Sequence, residues 1–381
     1  MEFDVTALLL GLPIAFALGW LASRLDLRQM RVENRQSPKA YFRGLNFLLN
    51  EQQDQAIDAF IEAVQNDPDT SELHFALGNL FRRRGEYDRA VRVHEHLLAR
   101  GDLKQSERDR AQHALALDFL KAGLLDRAEA ALSKLEGTAY EQEARLARLA
   151  IYERSRDWAQ ASAVAARLDD SSHGSFEPRQ AHYLCEQAQA SVAAGQTGPA
   201  LDLLSQARKL APQAPRPLIE KAKLLMQQGR SDAALQTLME LRQAAPQALP
   251  LAAALLAKLA VQAGKQQEVK DWLIQAQDAQ PSIDLVQAIA ELESDPAIAR
   301  QWFVSHLQRE PSLIAAGKWL ASERFAEPQN QEVVQRAIDR ASGPLMRYRC
   351  AACGFEAKQH FWHCPGCQAW DSYPARRIEE L

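Results

Sequence analysis

From about residue 37 to residue 340, apolar residues recur at three-and-four spacing against a background of Ala, Leu, Gln, Arg and Glu, with no convincing period-two alternation. This pattern predicts consecutive helical hairpins. Aligned on itself, the stretch has a period near 34 residues: a glycine turn, an alanine five residues later, and a proline twelve residues after that. Gly195, Ala200 and Pro212 keep this spacing, as do Gly229, Ala234 and Pro246, and the turn returns at Gly85 to Ala90 and Gly123 to Ala128. About eight or nine hairpins fit. Asp169 to Pro178 interrupts the helical pattern, either as a division of the array into two halves or as a long loop between helices.

The small residues at these offsets have a packing role. Gly44, Ala56, Gly78 and Ala90 let the two helices of a hairpin approach closely, while Phe60, Phe81 and Leu204 fill the gap to the next one. No hairpin buries its apolar face alone, so stability comes from stacking on neighbours. Gly44, Phe47, Ala56, Phe60, Ala63 and Pro68, followed by Leu77, Gly78, Phe81, Tyr87 and Ala90, resemble tetratricopeptide repeats. The copies around Leu149 to Ala161, Ala257 to Val269 and Leu285 to Ala299 are degenerate. In that repeat family partners bind the concave face formed by the first helices. The resemblance therefore implies a partner groove at Tyr41, Leu45, Phe75, Asn79, Arg82 and Arg83, with a solvated basic face as the alternative for Arg82 to Arg84.

Val5 to Ala22 carries no charge and, as a helix, would reach roughly 27 Å, close to the hydrocarbon thickness of a bilayer. Trp20 stands where an interfacial aromatic is expected. Glu2 and Asp4 precede the stretch, and Arg24, Arg28, Arg31, Arg35 and Lys39 follow it, so the long C-terminal part is expected on the cytoplasmic side. A cleaved signal peptide is the alternative, opposed by acids where a signal carries Lys or Arg.

Four of the five cysteines lie close together near the C-terminus, as Cys350-Ala-Ala-Cys353 and Cys364-Pro-Gly-Cys367. Two C-x2-C turns ten residues apart aim four thiolates at one point, a donor set for one tetrahedral metal ion, iron or zinc. Gly354 and Gly366 are expected to allow the tight backbone, with His360 and His363 flanking the site. Tyr348, Phe355, Phe361, Trp362 and Trp370 are expected to wrap the ion or dock the module on the last hairpin. The turns resemble rubredoxin knuckles, although the short loop between them and Gln368 after the last cysteine depart from that pattern. Cys185 sits alone in an apolar helical stretch, as a buried structural thiol would.

A net charge of -4, with no basic run interleaved with aromatics, gives no footprint for nucleic acid. Nucleotide-binding, hydrolase-elbow and His-Glu-x-x-His motifs are missing, and His94 and His96 are too closely spaced to share a helix face, so a non-enzymatic role is expected. The expected fold is all-α: a transmembrane anchor over 1–22, a basic juxtamembrane linker over 23–36, a tetratricopeptide-repeat solenoid over 37–343, and a rubredoxin-like metal-binding domain over 344–381.

In this order, and with the aromatic-rich ending Tyr348 to Phe355 and Trp362 to Trp370, the chain resembles the lipopolysaccharide assembly protein B family along essentially its full length. The resemblance implies a regulator of lipopolysaccharide synthesis, tethered to the inner membrane by a single span. It implies an adaptor that helps the protease FtsH degrade the deacetylase LpxC and that associates with other lipopolysaccharide assembly proteins. A membrane-bound rubredoxin-like electron-transfer protein and a general assembly chaperone are the alternatives. Monomer and homodimer both remain open.

Overall fold

The computed structural model describes residues 16–20, 39–66, 70–168, 175–323 and 328–381. Of the expected anchor (1–22) and linker (23–36), only 16–20 falls among them; it is helical, with Phe16, Leu18 and Trp20 exposed. The chain forms two compact units that divide at Ser155 and Arg156.

The first unit holds α1 (39–49), α2 (Gln53–Asn66), α3 (Ser71–Arg84), α4 (Tyr87–Ala99), α5 (Gln105–Ala122), α6 (Leu125–Ser133) and α7 (Glu141–Ser155). The second begins with α8 (Trp158–Ala165), α9 (Glu177–Ala193), α10 (Thr197–Leu210), α11 (Pro215–Gln227), α12 (Ser231–Ala244) and α13 (Leu249–Ala263). It continues through α14 (Gln266–Ala279), α15 (Ile283–Leu292), α16 (Pro296–Arg309), α17 (Leu313–Ser322) and α18 (Pro328–Ser342). A two-stranded antiparallel sheet follows, β1 (Tyr348–Arg349) and β2 (Glu356–Ala357), pairing Tyr348 with Ala357 and Arg349 with Glu356. The division lies between α7 and α8, ahead of the Asp169 to Pro178 stretch, of which residues 169–174 fall outside the described residues.

The turn inside each hairpin explains the period. At Gly85 (φ +85°) the chain enters the left-handed region, the Gly85 amide donates to the Arg82 carbonyl at 3.1 Å, and the Glu86 amide reaches the Phe81 carbonyl at 2.9 Å. This Schellman closure satisfies the last carbonyls of α3 and reverses the chain. Five residues on, Ala90 is fully buried against the preceding helix. The left-handed position also survives without glycine, at Glu51 (φ +59°) in the first copy and at Arg156 (φ +59°) in the degenerate copy around Leu149 to Ala161, and Ala56 and Ala161 again follow five residues later, fully buried.

Close approach is just as specific. A Cβ on Gly44 would lie 2.8 Å from the Phe60 ring, and one on Gly78 would lie 2.5 Å from His94 Nε2. His94 cannot retreat, because its Nδ1 bonds to buried Asp118, whose other oxygen takes the Arg82 guanidinium at 2.9 Å. Cys185 is wholly buried, and burial pushes its thiol far above the ordinary range, so it is an inert core group.

Among the described residues, Pro246–Ala263 is long and apolar enough to cross a membrane, but half of it is buried. Its buried face (Leu249, Ala252, Ala253, Leu256, Leu259 and Ala260) belongs to the largest apolar core of the second unit. This is the behaviour of a core helix.

Gly78→Ala is expected to destabilise the first unit by about 1–3 kcal/mol through overpacking against a fixed ring. Gly101→Ala, with open space around its Cβ, should be near neutral. Hydrogen exchange of α3 and α4 in a urea series distinguishes the two; equal effects would contradict this packing.

Candidate metal centre

The two C-x2-C turns share one backbone design. In the first, the Gly354 amide donates to the Cys350 carbonyl at 2.9 Å and the Cys350 amide to the Phe355 carbonyl at 2.9 Å. In the second, Gln368 donates to the Cys364 carbonyl at 2.8 Å and Cys364 to the Ala369 carbonyl at 2.9 Å. Each turn closes on a left-handed residue immediately after its second cysteine, Gly354 at φ +77° and Gln368 at φ +60°. The second turn therefore uses Gln368 where Gly366 was expected to supply backbone freedom. Gly366 instead makes room for Phe355, whose Cβ would stand 3.4 Å from a Cβ placed there.

These turns bring the four Sγ atoms within 4.8 Å of one another, with Cys350 to Cys367 and Cys353 to Cys364 each at 3.8 Å. A tetrahedron with metal–sulfur bonds of about 2.3 Å has edges of about 3.8 Å, whereas a disulfide requires about 2.05 Å. The spacing fits one ion and no cross-link.

The thiols respond unequally to one another. Burial opposes charge on Cys350, yet the Ser372 hydroxyl at 3.2 Å and the Cys353 and Ala352 amides outweigh it and bring this thiol down to about 6. Although the Phe355 amide favours a Cys353 thiolate, burial and the neighbouring thiols push Cys353 up to about 12. Four thiolates do not coexist here without a cation between them. His360 and His363 stay outside the donor set: His360 Nε2 lies 3.0 Å from the Tyr373 carbonyl and His363 stacks on Trp370 at 4.2 Å.

The module is fastened to the second unit along alternate helices, well beyond the last hairpin. Trp370 stacks on His182 of α9 at 4.8 Å and meets Tyr183 and Trp158 edge-on, while His182 Nε2 pairs with Asp371 at 2.8 Å. Leu251 of α13 packs against the module's small core of Tyr348, Cys350, Cys364 and Tyr373. Arg377 grips Asp284 of α15 through two bonds of 2.8 Å and lies 4.2 Å over the Tyr348 ring. Glu380 accepts the Ile283 amide at 2.6 Å, and Glu379 accepts the Leu313 and Ile314 amides and the Ser312 hydroxyl, so two acids cap α15 and α17. Phe355, expected to wrap the ion, is 43% exposed.

Comparison with known proteins agrees for the repeats and for the cysteine module. Residues 348–373 match the family described as "Rubredoxin metal binding domain", and residues 73–108 and 191–259 match tetratricopeptide repeat families. Lipopolysaccharide assembly protein B of Escherichia coli (strain K12) is 31% identical over 386 residues, 98% of this chain and 99% of that one. The chain belongs to the lipopolysaccharide assembly protein B family. The Haemophilus influenzae protein of the same name is 26% identical, with 97% of each chain covered. A tetratricopeptide repeat protein of Parabacteroides merdae aligns with a TM-score of 0.33 and 14% identity, over 68% of this chain and 99% of that one.

In this family member the residues expected to form a groove have mixed fates. Phe75 is 1% exposed and packs with Leu97 and Ala111 beneath the Arg110 guanidinium, so it is a core residue. Tyr41 and Leu45 are half-buried in the first hairpin's core, and Asn79 accepts a bond from Arg82 within the Asp118 network. Arg83 is exposed. The sequence reading missed the clamp residues His182, Asp284, Arg377, Glu379 and Glu380. Their partners lie up to 189 positions away, and no periodic pattern links them.

Cys350→Ser, or removal of the ion by a chelator, is expected to abolish stoichiometric metal binding and to raise amide exchange at Ile283 and at Leu313 to Ala315. Glu379→Ala should retain the metal yet deprotect the first turn of α17, at a cost of about 0.5–2 kcal/mol. Unchanged exchange in both variants would disprove the clamp.

Proposed function

We propose that this chain is a non-catalytic adaptor in lipopolysaccharide assembly, tethered to the inner membrane with its bulk on the cytoplasmic side. The match to lipopolysaccharide assembly protein B along 98% of the chain carries this reading. The finer role is to present LpxC to FtsH, so that synthesis of lipid A is set by the lifetime of the deacetylase. A tether favours this: confined to the membrane surface, a scaffold meets another membrane protein at high effective concentration without any new contact.

In this reading Cys350, Cys353, Cys364 and Cys367 hold one ion, which supplies folding free energy and fixes the module on alternate helices. Because the second unit's first-helix face carries its own metal module, its partner-holding surface is composite. A cleft of about 550 Å³ runs along the seam, lined by Trp158, Glu186, Arg216, Glu220 and Lys223 on one side and His360 to His363 on the other. Arg216 spans Glu186 at 2.7 Å and Glu220 at 2.6 Å on its floor.

Electron transfer is the second reading, favoured by the exposure of Cys353 and Cys367, which leaves one edge of the sulfur tetrahedron open. Metal analysis with an optical spectrum separates the two. Reversible bleaching of an iron–thiolate band would favour redox work, and a colourless zinc protein would remove it.

Depletion of the protein is expected to raise the level of LpxC several-fold and to lengthen its half-life, with Cys350→Ser failing to restore either. Normal deacetylase turnover after depletion would refute the regulatory role.

A further inference from the structure

The sulfur cluster has two unlike sides. Cys350 and Cys364, the first cysteine of each turn, are 1% and 0% exposed, whereas Cys353 and Cys367, the second of each, are exposed. Exposure extends along both turn tips, 351–355 and 365–368, so the edge joining the Cys353 and Cys367 sulfurs faces solvent. The buried pair is held from within the module: Cys350 Sγ sits 3.2 Å from the Ser372 hydroxyl and Cys364 Sγ 4.0 Å from the Tyr373 hydroxyl. All four sulfurs lie within 4.8 Å of one another. A short movement of the two exposed tips therefore brings their sulfurs to the roughly 2.05 Å of a disulfide, while the buried pair stays in place.

We propose that Cys353 and Cys367 form a peroxide-modification site: a peroxide oxidises one exposed thiolate, the other closes a disulfide with it, and the metal ion is lost. The Cys353 thiolate attacks one peroxide oxygen, the O–O bond breaks and hydroxide leaves, so that Cys353 carries a sulfenic acid. The Cys367 thiolate attacks that sulfur, an S–S bond forms and a second hydroxide leaves. Two electrons pass from the sulfur pair to hydrogen peroxide, and two protons from solvent convert the hydroxides to water. A zinc ion, which has no redox chemistry of its own, supplies none of these electrons. The two thiolates that remain are half of a tetrahedral donor set. Loss of the ion then frees the ending that clasps the second unit: Arg377 from Asp284, and Glu379 from the Ser312 hydroxyl and the first amides of α17. Cys185, wholly buried among its helices, lies beyond the oxidant's reach. This inference rests on the four-thiolate metal site read above, with zinc as its ion.

The test treats the zinc-loaded full-length chain with hydrogen peroxide. Zinc is followed with a chromogenic chelator, disulfides by peptide mass mapping, and amide exchange at Leu313 to Ala315. Release of about one zinc per chain is expected, with a linkage between Cys353 and Cys367, an unmodified Cys185 and roughly tenfold faster exchange at those amides. Dithiothreitol with added zinc should reverse the release, the linkage and the exchange. A linkage within one turn, such as Cys350 to Cys353, or zinc release with exchange unchanged, would overturn the proposal. A chain that binds zinc stoichiometrically and keeps it under peroxide refutes this inference alone; one that takes up no zinc before oxidant is added refutes the metal site as well. Iron in the chain purified from cells would overturn it in favour of electron transfer.

Discussion

Four sulfur atoms at tetrahedral spacing would repel one another as thiolates, and a cation at their centre turns that repulsion into the strongest attraction in the C-terminal module. So small a module buries too little apolar surface to stand by itself. Metal binding, worth on the order of 10–16 kcal/mol in small zinc modules, supplies what is lacking. The second unit depends on it in turn, because Trp370, Arg377, Glu379 and Glu380 leave the module to clasp α9, α15 and α17. Coordination chemistry at one end of the sequence thus reaches helices that begin nearly two hundred residues earlier.

The first unit keeps its order by other means. Its hairpins are registered by small residues under rigid groups, Gly44 beneath Phe60 and Gly78 beneath His94, with His94 fixed in turn by Asp118 and Arg82. This buried polar network has the character of a specificity device, since an apolar substitute would pack without dictating which ring meets which glycine.

What the sequence revealed follows the range of the forces involved. Turns governed by local backbone geometry, such as Gly85 with Ala90 and Gly229 with Ala234, were legible as a period, and so were the four cysteines, whose spacing is itself the signal. Arg156 left the copy around Leu149 to Ala161 degenerate because a non-glycine residue occupies the left-handed position at its turn. Phe75 was misplaced in a groove because an aromatic on a first helix looks the same from sequence whether it faces solvent or is covered by an arginine. The clamp was invisible for a similar reason: Glu379 and Asp284 are ordinary surface acids until the fold brings helix ends and a guanidinium to them.

The caps on α15 and α17 also bear on the order of events during synthesis. Ile283 waits for Glu380, an acid 97 positions further along the chain. A ribosome must therefore deliver the rest of the polypeptide before these helix ends close, and contacts of such separation form late. Until then the first amides of α15 and α17 lack the carboxylates that cap them. Closure of these two helix ends therefore belongs to the last stage of folding, whatever the speed at which the helices themselves form.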